Sequence, residues 1–130
     1  MKKTIMIDGV GRLFRTSGLT PRIYRGVCGR DVFQDIAQLE AEVGSGGLSM
    51  DALRIFENLS YTMAKQGNDA LPADDPGKYK PFPATPDEWL DTLEVFDIWD
   101  IFPQLAELWR EGNQTIVESK KKTEAKATGD

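Results

Sequence analysis

The side chains that most often carry chemistry are scarce in this chain, and their spacing narrows what it can do. Of its 130 residues none is histidine and one, Cys28, is cysteine. A thiol becomes a nucleophile when a neighbouring base or cation lowers its pKa. With no imidazole available, Cys28 reads as a small buried apolar residue. Structural zinc sites are assembled from cysteine and histidine, so none fits here. Carboxylates alone can bind calcium, but Asp74-Asp75-Pro76-Gly77-Lys78 lacks the alternating ligands and closing glutamate of an EF-hand loop and reads as a solvated turn. Gly44-Ser45-Gly46-Gly47 has no strand before it and no Lys-Ser/Thr after it, so it reads as a helix connector rather than a phosphate cradle. These residues lead us to expect no catalytic residue, no metal and no cofactor.

The chemistry that remains is recognition. Trp89, Phe96, Trp99, Phe102 and Trp109 crowd a short C-terminal stretch, and aromatic residues are enriched where binding energy concentrates. Most must fill the core of a domain this size. Phe96, Trp99 and Phe102 are the candidates for partner contact, because Pro103 interrupts the helical pattern there and an irregular segment buries fewer of its side chains. Asp97 and Asp100 would form the rim.

Length allows one well-filled domain, and an apolar fraction of 40% with 28% charged residues is that of a globular chain. We place this domain at residues 1–112, with a polar, lysine-rich and disordered tail at 113–130. No apolar run approaches the roughly 18 residues that span a bilayer, and Asp8 cuts short any signal-peptide core. The expected location is the cytoplasm, with no membrane partner. Charge is divided: residues 1–30 carry net +6 and residues 31–112 net −12. An acidic field of that size argues against nucleic acid. Two arrangements remain open. Either the basic end packs beside the acidic helices of its own chain, or it meets another copy and the chain self-associates.

The elements that must position these residues follow from periodicity. Lys3 to Asp8 and Arg12 to Thr16 read as strands of a β-hairpin turning at Gly9-Val10-Gly11. Thr20-Pro21 starts a helix to Cys28 with Ile23, Tyr24 and Val27 on one face. A second helix carries Val32, Phe33, Ile36, Leu39 and Val43. Ser49 caps a third, with Ala52, Ile55, Phe56, Leu59 and Met63 as its stripe and an end near Gln66-Gly67-Asn68. Four prolines make 68–85 a loop, pinned by Tyr79 and Phe82. Thr85-Pro86-Asp87-Glu88 is a capping box, and Trp89, Leu90 and Leu93 behind it face the core. The last helix, with Leu105, Leu108 and Trp109, starts just before Pro103, after a turn or short helix through Asp97 to Ile101. The fold class is mainly α with a small N-terminal β-hairpin, an α+β arrangement.

This order of elements, with Thr20-Pro21-Arg22-Ile23-Tyr24-Arg25, Gly29-Arg30-Asp31, the run Phe56 to Lys65, Glu88-Trp89-Leu90-Asp91 and Leu105 to Trp109, resembles the tail assembly chaperones of phages and prophages of Gram-positive hosts. The resemblance spans about Lys3 to Arg110. It implies a non-catalytic protein that binds the long helical tape measure protein, helps tail tube protein polymerise around it and is not kept in the mature virion. Such chaperones are often also made in a longer frameshifted form; Lys120-Lys121-Lys122 either marks a slippery codon run for it or simply keeps a disordered end solvated. The alternatives are a small helical DNA-binding regulator, whose basic helix would be the one with Arg22 and Arg25, and an enzyme of unknown type.

Overall fold

A computed structural model describes residues 1–112; the tail expected at 113–130, with its lysine run, lies outside the described residues. The fold is mainly helical with an N-terminal antiparallel hairpin. Strands β1 (Lys2–Ile7) and β2 (Val10–Arg15) pair with Ile5 opposite Arg12 and Ile7 opposite Val10. The turn is Asp8-Gly9, not Gly9-Val10-Gly11. Both residues take positive φ, 56° and 75°, the two-residue geometry whose twist matches the strands. Alternation sends Ile5, Ile7 and Phe14 inward and leaves Thr4 and Met6 in solvent.

Helices α1 (Thr20–Cys28), α2 (Val32–Ser45), α3 (Met50–Ala70) and α4 (Pro86–Leu90) follow, and α5 has residues 98–112 as its described part. The hairpin, α1, α2 and α4 all pack on α3. Its first half has the expected stripe of Ala52, Ile55, Phe56 and Leu59. Ser60 to Ala64 are buried without a break, so the middle of α3 is wrapped on every side. The Ser60 and Thr62 hydroxyls bond the Phe56 and Asn58 carbonyls, at 2.7 and 2.8 Å, and so enter the core satisfied.

Three boundaries differ from the sequence reading. Thr20 lies inside α1 rather than capping it; its hydroxyl accepts from the Ser17 amide and donates to Gln66 Oε1 at 2.6 Å, tying the start of α1 to α3. Gly67 does not end α3. A Cβ there would sit 1.9 Å from the Leu13 carbonyl oxygen, so this glycine lets the helix and β2 backbones touch, and α3 continues to Ala70. Pro103 does not set the start of α5. Asp97 accepts from the Trp99 amide at 2.9 Å, the helix begins at residue 98, and burial of Ile98, Ile101 and Phe102 outweighs the lost hydrogen bond.

The loop before α4 is pinned as expected. Asn68 bonds both backbone groups of Tyr79, the Tyr61 hydroxyl donates to the Pro83 carbonyl at 2.6 Å, and Phe82 packs on both tyrosines. Thr85 caps α4 by accepting from the Glu88 amide, while the Glu88 carboxylate reaches one residue further back than in a capping box, to the Ala84 amide. Cys28 is half-buried, its Sγ donating to the Tyr24 carbonyl at 3.3 Å.

Candidate partner-binding groove

The first turns of α3 and the segment leading into α5 lie side by side. Ser49 begins the helix by accepting from the Ala52 amide at 3.0 Å, which sets Met50 and Leu53 on the face away from the core stripe. Across from them, Phe96 stacks on Phe56 at 4.7 Å between ring centroids and meets Trp89 edge-on at 5.5 Å. Between these walls runs a groove of about 320 Å³, lined by Met50, Leu53, Phe56, Phe96 and Ile98, with Arg54 and Glu57 as its charged members.

The segment that carries Phe96 has no regular structure from 93 to 97, and its anchor comes from far away in the chain. The Asp8 carboxylate, at the tip of the hairpin, accepts from the Glu94 amide at 2.8 Å and the Val95 amide at 2.9 Å. Two charge-assisted bonds therefore fix the wall of the groove to the hairpin turn. Burial raises the Glu57 pKa, Asp87 raises it further and Arg54 opposes both.

The three aromatic candidates separate here. Trp99 is 52% exposed, Val95, next to Phe96 in the chain, 66%, and Met50, in the groove wall, 85%, so apolar surface is offered to solvent at the groove and in the segment that forms its wall. Phe96 is half-buried and forms the wall. Phe102 is 3% exposed and belongs to the core, because α5 begins five residues before Pro103 and turns it inward. It offers a partner no surface. Met50, Leu53 and Val95 were absent from the candidates read from sequence. The signal for the first two was present: apolar residues at an i, i+3 spacing off the core stripe of α3.

No family model, curated protein or solved structure matches this chain.

The other expectations can be placed as well. Arg22 and Arg25, the basic pair of the DNA-binding alternative, are exposed on the nine-residue α1. Two basic residues of the N-terminal part meet acids of the same chain, Lys3 with Glu107 at 2.7 Å and Arg30 with Asp35 at 2.8 Å. Among the described residues no group of three or more Cys, Asp or Glu is arranged to hold a metal ion, and no helix is long and apolar enough to cross a membrane.

Proposed function

We propose that this protein is a non-catalytic tail assembly chaperone of a phage or prophage, which acts in the host cytoplasm and is left out of the mature virion. It holds the tape measure protein by an apolar stripe until tail tube protein surrounds it. The observation that carries this reading is the apolar groove between α3 and residues 94–98, with Met50 exposed in its wall and Val95 and Trp99 exposed in the adjoining chain. A groove with exposed aromatic and aliphatic neighbours suits the apolar face of a helix, whose anchors recur every three or four residues. Exposed Glu94, Asp97 and Asp100 border the same segment and keep the outer surface charged once the stripe is covered. The resemblance in segment order supports the same reading.

Co-expression with a phage tape measure protein tests it. The two should co-purify, and the tape measure protein should stay soluble only with its chaperone. An aggregated tape measure protein in the presence of folded chaperone would refute the proposal.

A further inference from the structure

A second groove lies on the C-terminal half of α3, and its character is opposite to the first. It encloses about 460 Å³ between that helix and residues 78–84 of the proline-rich loop. Lys65, Lys78 and Lys80 border it, and these are three of the five basic residues in a stretch, 31–112, that carries seventeen acids. Positive charge is thus gathered at one place in an otherwise acidic region. Tyr61, Tyr79 and Phe82 also line it, with Phe82 centred 5.5 Å from each tyrosine ring. Arg12 adds a fourth cation nearby, hydrogen-bonding the Tyr79 hydroxyl and standing 5.8 Å from the centre of its ring.

The groove is built rather than draped. Asn68 donates to the Tyr79 carbonyl at 3.2 Å and accepts from its amide at 2.8 Å, as a neighbouring strand would. Lys78 Nζ donates to the Leu71 carbonyl at 2.9 Å, and Pro81 and Pro83 restrict the backbone of the far wall. Lys65 Nζ donates to Asp69 at 3.1 Å, so two of the three lysines stand in defined positions around the aromatic floor and lose little further freedom on binding.

We infer that this groove takes a short, extended, acidic segment of a partner protein, with carboxylates on the lysines and an apolar or proline side chain on the aromatic floor. Charge complementarity selects the acid. The aromatic floor, bounded by prolines, suits an extended backbone, as in other grooves that read such segments. A nucleic acid strand is disfavoured, because it needs a continuous basic track, whereas Asp69 lines this groove and Asp74 and Asp75 follow on the same loop. The inference is independent of the chaperone reading.

The full chain should be titrated with a fluorescent peptide in which glutamates flank a Pro-Leu-Pro core, with a glutamine-for-glutamate twin and with oligothymidylate. The acidic peptide should bind at least tenfold more tightly than its twin and weaken as salt is raised. Lys80→Glu and Lys65→Glu, both at positions that reach solvent, should each lower its affinity about tenfold or more with an unchanged circular dichroism spectrum. Equal binding of both peptides, no binding of either, or unchanged affinity in both variants would overturn the inference. So would preferential binding of oligothymidylate. A variant that alters the oligomeric state without any peptide binding would give the groove to a second copy instead, and would equally overturn it.

Discussion

Asp35 is the residue on which the joint between α1 and α2 depends. It is buried, and it accepts from the Tyr24 hydroxyl at 2.7 Å and from two nitrogens of Arg30 at 2.8 and 2.9 Å. Burial pushes the carboxyl pKa upward, but the bonds from Arg30 and Tyr24 outweigh it and hold the group below its ordinary value. Burial first, and the bond to Asp35 next, keep the Tyr24 hydroxyl protonated far above its usual range. Replacing Asp35 by alanine leaves a buried hydroxyl and a guanidinium fork without their acceptor. The loss should be about 2–3 kcal/mol by urea unfolding at neutral pH, below the range for a fully buried pair because Arg30 reaches solvent. A carboxyl with a depressed folded pKa stabilises above its unfolded value, about 3.8, and that contribution disappears as pH falls through the folded value. The stability gap between wild type and Asp35→Ala should therefore shrink in acid. A gap that stayed constant would show that lost packing, not charge, accounts for the effect.

At the scale of elements, two glycines in helices give opposite expectations. Gly67→Ala would press a methyl group into the Leu13 backbone, so α3 and β2 must separate, at a cost of about 3 kcal/mol that exceeds the propensity gain. Gly44, in the last turn of α2, has nothing within 4 Å of such a methyl, and Gly44→Ala should stabilise by about 0.5–1 kcal/mol. Thermal unfolding of both variants checks the pair; two changes of the same sign would contradict the close approach. These glycines also mark where the sequence was legible. Periodicity and capping located the five helices of the described residues and the hairpin, because apolar stripes and the caps Ser49 and Thr85 are local signals. Gly67 read as a helix end, since its purpose is set by Leu13, a residue far away in the chain. Likewise Asp8 gave no hint that it anchors Glu94 and Val95, and Pro103 misplaced the start of α5 because core burial overrode a local penalty.

For the whole molecule, the two grooves divide α3 between them, apolar near its start and basic near its end, while exposed acids are frequent in residues 87–100, the stretch that supplies Phe96 and Ile98 to the first. The central claim is that the apolar groove and the exposed Trp99 hold the tape measure protein. Its most direct test is affinity for co-expressed tape measure protein measured alongside stability for four alanine variants. Trp99→Ala should weaken binding by about 2 kcal/mol, near thirtyfold, with an unchanged melting temperature, as befits an exposed anchor. Phe102→Ala should instead lower the melting temperature, because it empties the core by about 3–5 kcal/mol. Phe96→Ala should do both, since it forms the wall and also stacks on Phe56. If Trp99→Ala and a folded Leu53→Ala both retain full affinity, the groove is not the binding site.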